Sequence, residues 1–561
     1  MDCLFIKVYE DLANSSVGIE TLITLFIYKL IDTEKVQLVI QFCSQVPSEP
    51  TVIVDLSNIN YKSLTSLPEV TSCCVWPIIV SKKNVAAGLC SVARLLVKKS
   101  EKTQVRALLG FREACLLACS ESSVWTRFCE VDAISTAKKL ILDEYFVDRK
   151  FYLPEDVARF EFHMSKPVRM HNVYKAARER NNDKDINSSI PIQELNLTHS
   201  YGEGMTMTLA DVILFPCYKI FFSKCPLDLL RDKIPLTIEW FRRMERCDLP
   251  TLKFMLTSTT IKTNEIVEPR FAKHSLYTAD PSRYRPEKRI YTKQNDIDVA
   301  VKAVSPLENE IVNEILPFGH DLAFDWSEIP LEANPSGGAL PEKRAKRKQE
   351  QLENLVKAVV KIAGNKRYRI VDFCSGSGHL GILLAVLLPN CDVVLVENKE
   401  CSLSRARERV AKLELGNVIA VQSNLDYFCG DFDIGVTLHA CGVATDLVIQ
   451  NCVEKNAHFV VCPCCYGGIK DCHHLKYPRS KQFQKLDLGY KNYLSLAHAA
   501  DQTHEADNAK TKQGYLCMDI VDTDRRLFAQ SCDYKVHLGK LQPTSCTNKN
   551  NLLIGLYRGK E

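Results

Sequence analysis

The sequence predicts an α/β chain in two parts. An open, doubly wound sheet occupies the C-terminal end, and a smaller α/β unit followed by an all-α block precedes it. Three observations predict this. Arg369 to Gly381 reads R-I-V-D-F-C-S-G-S-G-H-L-G, a short β-branched run, a glycine-rich turn and the start of an apolar helix. From there strands and helices alternate to a closing pair of strands, as in a parallel sheet covered by helices. Residues 1–98 alternate in the same way on a smaller scale, whereas 99–255 lose the strand signal. With 561 residues the chain has room for about three or four domains. At 46% hydrophobic and 25% charged residues it can bury sizeable cores.

In the front unit Cys3 to Tyr9 reads as a strand, Ile19 to Ile31 as a helix and Val36 to Ile40 as a second strand. Val75 to Val80 places Pro77 just before a strand, where a cis bond is expected. Val85 to Lys98 reads as a helix. Between 99 and 255, Thr208 and Asp211 form a capping-box pattern before a nearly all-apolar, hence buried, helix. Ile234 to Met244 reads as an amphipathic helix with proline in its first turn. Strand, helix, strand, proline-led strand and helix, followed by this helical block, resemble the glutathione S-transferase (GST) fold. The first 98 residues match its thioredoxin-like part and 99–255 its helical part. In active transferases an acid-Ser pair opens the helix after the proline-led strand and grips the γ-glutamyl end. Here the place reads Leu89-Cys90-Ser91, with Cys90 in place of the acid, so the resemblance implies docking rather than glutathione chemistry.

In the back part, the second strand, Val393 to Val396, ends in Glu397, about 20 residues past the turn, where an acid can take ribose hydroxyls. Gly376-Ser377-Gly378-His379-Leu380-Gly381 satisfies the dinucleotide pattern G-x-G-x-x-G. Asp372 argues for S-adenosylmethionine (SAM) instead. An acid there would repel a pyrophosphate, but it can accept a hydrogen bond from the cationic amino group of methionine. Asp372 to Gly378 resembles motif I of class I SAM-dependent methyltransferases, with Cys374 in place of the first glycine.

Ligands in such sheets sit outside the carboxyl ends of the strands. The third strand ends near Asn424 and Asp426, which can bond an adenine edge. The fourth ends in His439-Ala440-Cys441-Gly442, the fifth in Cys462-Pro463-Cys464-Cys465-Tyr466-Gly467-Gly468. His439 is the candidate base or orienting group. Cys464, Cys465 and Tyr466 are expected to shape the acceptor pocket, Tyr466 by stacking on a base. Pro463-Cys464 is also similar to the Pro-Cys of cytosine-C5 methyltransferases, whose thiolate attacks the base. Cys462, Cys464, Cys465, Cys472, His473 and His474 are all zinc-ligand types, but C-x-C-C followed by C-H-H is not a standard zinc spacing, and no metal is assigned. Ala440 to Leu447 resembles the L-C-G-x-A-T-D-L element of a tRNA 2′-O-methyltransferase family, with Ala at its first place. Taken together, the chain resembles the glutathione S-transferase C-terminal domain-containing proteins. That resemblance implies a cytoplasmic protein with a methyltransferase domain and leaves the substrate open; the reading adopted is methyl transfer from SAM, with RNA as the expected substrate. The rival reading is a scaffold that keeps both folds without chemistry.

Residues 256–340 read as a linker, and 341–561 as the SAM-dependent domain. Within the linker, Arg270 to Lys293 interleaves basic residues with Phe271, Tyr277, Tyr284 and Tyr291, a pattern suited to phosphate contact and base stacking or to a solvated linker. A second basic cluster, Lys343 to Lys348, opens a helix, an unfavourable place for cations that hints at an anionic substrate. The net charge of +4 is too mild to imply nucleic acid by itself. No apolar run reaches the length of a membrane span and no signal peptide is read, so the 24 cysteines are expected as reduced thiols and no membrane partner is expected. Protein partners through the front half remain open.

Overall fold

The computed structural model describes residues 2–11, 14–44, 49–64, 66–120, 123–170, 172–182, 184–225, 227–256, 265–271, 273–277, 292–338, 341–472, 474–503 and 508–560. They form two compact units, Met1–Lys82 with Ala86–Arg283, and Lys83–Val85 with Tyr284–Glu561.

In the first unit, strand Asp2–Asp11 pairs in parallel with Val36–Cys43 and antiparallel with Ile78–Ser81. Helix Ile19–Ile31 connects the first two and is buried almost all round from Thr21 to Ile27. The Trp76–Pro77 bond is cis. The helix read from Val85 begins only at Leu89. Asn84–Ala87 is a strand, and Gly88, at φ 91°, turns the chain between them. In the helical block, Leu209–Lys224 is buried on nearly all sides and opens with the capping box: Thr208 N–H donates to Asp211 Oδ2 at 2.9 Å. The indole N–H of Trp240, on helix Pro235–Arg246, donates to Asp211 Oδ1 at 2.8 Å. A GST-like unit, thioredoxin-like α/β followed by a helical part, is thus present; the helical part carries a short antiparallel strand pair, Phe146–Val147 with Lys150–Tyr152.

The second unit is built on β1 (Arg369–Phe373), β2 (Asp392–Glu397), β3 (Val418–Gln422), β4 (Ile434–Ala440), β5 (His458–Pro463), β6 (Tyr534–Lys540) and β7 (Asn551–Tyr557). Their spatial order is β3-β2-β1-β4-β5-β7-β6. The first five are parallel, and β7 runs antiparallel to both β5 and β6. Strand order reverses between β1 and β4, so a crevice opens where their connections depart to opposite faces. The longer helices are α1 (Gln294–Val304), α2 (Glu342–Ala363), α3 (His379–Leu387), α4 (Glu400–Lys412), α5 (Val443–Glu454), α6 (Gly489–Ala499) and α7 (Ala509–Gln530). One core packs α2, α3 and α4 onto the sheet through Leu352, Leu355, Leu383 and Leu403. The other gathers α1, α5, α6 and α7 around Ile297, Leu447, Tyr493 and Met518.

The linker reading of 256–340 is corrected for its second half. Ile297, Ala300 and Val304 of α1 are almost fully buried, which makes 292–338 part of the second unit. In the basic-aromatic stretch, Arg283, Tyr284, Arg285, Lys288, Arg289 and Tyr291 lie outside the described residues. Tyr277 packs on His163 with ring centroids 4.7 Å apart, which removes it from a base-stacking role. Among the described residues no helix is long and apolar enough to cross a membrane.

Candidate active site

The turn after β1 carries three residues in the left-handed region: Cys374 (φ 55°), Gly376 (φ 56°) and Gly378 (φ 72°). A Cβ added to Gly376 would meet nothing within 4 Å, so the backbone there borders open space that a ligand can enter. Gly381 has the opposite role. A Cβ there would collide with Leu395 Cδ2 and come within 3.0 Å of Asp372 Oδ2, so glycine lets α3 lie directly on β2. Cys374 holds a conformation that costs a side-chain-bearing residue about 1–2 kcal/mol, which explains why the resembled motif has glycine at this place.

Two acids brace this turn. Asp372, 2% exposed, accepts the Gly381 N–H through Oδ2 at 2.8 Å. Burial pushes its carboxyl up to about 7, against the Gly381 hydrogen bond and the nearby Lys348 ammonium. Glu397 accepts the Gly376 N–H through Oε2 at 2.8 Å and the Lys399 N–H through Oε1 at 2.9 Å. Each oxygen keeps a second lone pair for a hydroxyl. At the tip of β3, Asn424 Oδ1 accepts from Asn398 at 3.3 Å, and Asp426 Oδ2 lies 3.5 Å from His474 Nε2. Arg409, on α4, belongs to no sequence motif. Its guanidinium donates to the Ser377 and Glu332 carbonyls at 2.9 and 2.8 Å and so clamps the glycine turn.

On the other side, β4 is irregular near its tip. His439 has φ 70°, and the register with β5 shifts between Leu438 and Ala440, a bulge that re-aims the side chain. His439 Nε2 lies 2.9 Å from Gln351 Oε1, and the Gln351 amide donates to the Cys546 carbonyl at 2.9 Å. That second bond orients the amide, so His439 Nε2 carries the proton and Nδ1 keeps its lone pair. Nδ1 is buried with no hydrogen-bond partner among the described residues. Burial and the nearby Lys348 charge push the imidazole down to about 4, so the ring is neutral at physiological pH.

The strand-five turn requires one correction. Tyr466 is 1% exposed and its hydroxyl donates to Asp522 Oδ2 at 2.6 Å, so it is a core residue that cannot stack on a base. It belongs to a buried network in which Arg525 donates to Asp446 at 2.6 and 3.0 Å and to Asp522 at 3.0 Å, with the Tyr477 hydroxyl on Asp446 at 2.8 Å. Asp446, in the element resembling L-C-G-x-A-T-D-L, is thereby held beneath the site. In the same turn Cys464 is half-buried and Cys465 exposed. Cys441, from the β4 tip, joins them, with its Sγ 3.2 Å from that of Cys465. Lys348, from the basic cluster on α2, is half-buried, and burial lowers its ammonium. Its charge is felt by Asp372 and His379 beside the glycine turn and by His439 and Cys464 across from it.

The strand order, the reversed last strand, the glycine turn and the acid closing β2 define a class: a methyltransferase domain of Rossmann-like fold. The family described as a methyltransferase domain matches residues 346–472. The chain as a whole belongs to the family of glutathione S-transferase C-terminal domain-containing proteins. The homologue so named from Drosophila pseudoobscura pseudoobscura is 43% identical over 84% of this chain and 83% of its own. The Homo sapiens protein is 31% identical over 98% of both. A shorter match, 33% identical over 14% of this chain and 33% of its own, is to the ribosomal RNA small subunit methyltransferase G of Thermotoga sp. (strain RQ2). Among solved structures, the magnesium protoporphyrin IX methyltransferase from Synechocystis PCC 6803 with bound SAM covers 40% of this chain and 88% of that one, at 12% identity and a TM-score of 0.25.

Proposed function

We propose that the second unit transfers a methyl group from SAM to RNA, and that the GST-like unit docks without chemistry of its own. The observation that carries this reading is the pair of buried acids on either side of a turn that opens at Gly376. Asp372 would take the methionine ammonium and Glu397 the ribose hydroxyls. Asn424 and Asp426 would meet the adenine edge, and Cys374 would line the turn. When bound, SAM supplies an electrophilic methyl on a sulfonium. The chain's own part is to hold the acceptor in line with it, a positioning effect that can carry much of the rate. His439, neutral and fixed by Gln351, orients or deprotonates the acceptor through Nδ1. Cys464 and Cys465 line the acceptor side. The RNA assignment rests on the basic start of α2, Lys343 to Lys348, and on the short match to a ribosomal RNA methyltransferase. The rival scaffold reading draws on Cys374, a side chain where a glycine would give a ligand more room.

Calorimetry of SAM with the full chain separates the two. Glu397→Ala should raise Kd about tenfold or more, the worth of a charged hydrogen bond of about 1.5–3 kcal/mol. Absence of SAM binding by the unaltered, folded chain would leave the scaffold. Methyl transfer from labelled SAM should then enter total RNA. Label confined to protein or small-molecule pools would remove the RNA part alone.

A further inference from the structure

The tips of β4 and β5 are fastened together. Gly442 N–H donates to the Cys465 carbonyl at 3.0 Å, and a Cβ on Gly442 would fall 2.6 Å from the Gly468 carbonyl oxygen, so the two loops touch through glycines. Asp501 braces the second loop by accepting the Tyr466 and Gly467 N–H groups at 3.1 and 2.8 Å. This framework sets three thiols side by side. Cys441 and Cys465 are 3.2 Å apart at Sγ, Cys464 and Cys465 are 3.5 Å apart, and all three sulfurs lie within 4.8 Å of one another.

We propose that Cys441, Cys464 and Cys465 form a three-thiolate site for a zinc ion whose fourth coordination position is open. Zinc–sulfur bonds of about 2.3 Å in a tetrahedron put ligand sulfurs ~3.8 Å apart, which these thiols reach by small side-chain shifts. Three protein ligands and one exchangeable position is the pattern of reactive rather than purely structural zinc. Cys441 and Cys465 are both exposed, so the fourth position is accessible to water or to a donor atom of an acceptor. Binding exchanges three S–H bonds for three Zn–S bonds and releases three protons to solvent. The remaining negative charge is offset by cations already in place. Lys549, held by the Ala500 carbonyl at 2.6 Å and ion-paired with Asp501 at 3.4 Å, feels the charge of Cys464 and Cys465, and Lys348 feels that of Cys464. Among the described residues, the other zinc-ligand types of the Cys462–His474 stretch are not grouped with these thiols. Cys462 is fully buried with its Sγ turned to the Lys549 carbonyl at 3.6 Å, His474 lies by Asp426, and His473 lies outside the described residues.

The test uses the full chain, purified under reducing conditions from zinc-replete cells. Metal analysis should find about one zinc per chain. After stripping with a chelator, cobalt(II) should give thiolate charge-transfer absorption in the near ultraviolet and strong tetrahedral bands in the visible. Cys441→Ser and Cys465→Ser, both at exposed positions, should weaken zinc binding tenfold or more, while the stripped variants melt at the temperature of the stripped, unaltered chain. Cys401→Ser, an exposed cysteine on α4, should leave it unchanged. A stripped, fully reduced chain with no cobalt–thiolate absorption would overturn the site. So would zinc retained in Cys441→Ser but lost in Cys462→Ser or Cys472→Ser. These readouts need neither SAM nor an acceptor, so they fail or succeed independently of the methyl-transfer reading.

Discussion

Burial sets the ionisation of Asp372, and with it the pH response of the cofactor side. Its folded pKa of about 7 lies above the ordinary value of 3.8, so the native state holds its proton over a range where the unfolded chain has lost it. Stability from this group therefore falls as pH rises from about 4 to 7, by up to ~4 kcal/mol. Asp372→Asn should raise the melting temperature at pH 8 and leave it nearly unchanged at pH 4, while weakening SAM. A variant less stable than the parent at pH 8 would contradict this account of its burial. Affinity of the unaltered chain for SAM should rise with pH toward about 7, then fall above ~8 as the ligand's own ammonium deprotonates. At this scale the sequence is legible where a site is local. The glycine turn and its two acids lie within one strand-turn-helix-strand unit. Cys441 escapes a reading from sequence because its partners stand 23 and 24 residues away and no spacing rule joins them. Tyr466 misleads because a tyrosine beside two glycines reads as exposed, whereas its partner Asp522 is 56 residues further on.

Helix Leu89–Lys99 shows how a familiar element can lose its familiar use. Its first turn should offer N–H groups to a ligand carboxylate, but the Cys90 N–H already donates to Glu130 Oε1 at 3.0 Å, and Glu130 is 6% exposed. A carboxylate of the chain itself thus takes an N–H of this first turn, and burial raises the Cys90 thiol far above the usual range, so it offers no thiolate. Conjugation of glutathione to a chlorinated dinitrobenzene should stay at background. Turnover like that of an ordinary transferase, abolished by Ser91→Ala, would refute this. Long, nearly continuous apolar runs of helical length, such as Ile19–Ile31, are legible to the residue. The weaker ones are not. α1 follows a basic, aromatic stretch and shows only three buried apolar positions, so its membership in the second unit depends on partners in α6 that are remote in sequence.

Across the whole molecule, the two units have separate hydrophobic cores. Scanning calorimetry of the full chain should resolve two transitions. SAM at about a hundred times its Kd adds ~2.7 kcal/mol to the unit that binds it, which should raise one transition by roughly 5–10 °C and leave the other in place. A single transition that shifts as a whole would contradict this. The two-part organisation is legible because composition and periodicity change along the chain, but the boundary is not. The linker reading assigns 292–338 to neither part.

Arg409 bears on where such a domain can be cut. It joins the glycine turn, through Ser377, to the Glu332 carbonyl, which precedes the recognisable methyltransferase span of 346–472. Beyond the other end of that span lie Asp501, Arg525 and Lys549, which hold the β5 turn and the network under it. A gene fragment trimmed to 346–472 would keep the signature by which relatives are recognised and lose the groups that hold the signature in shape. Transplanted into another chain, that segment would carry its ancestry without its architecture.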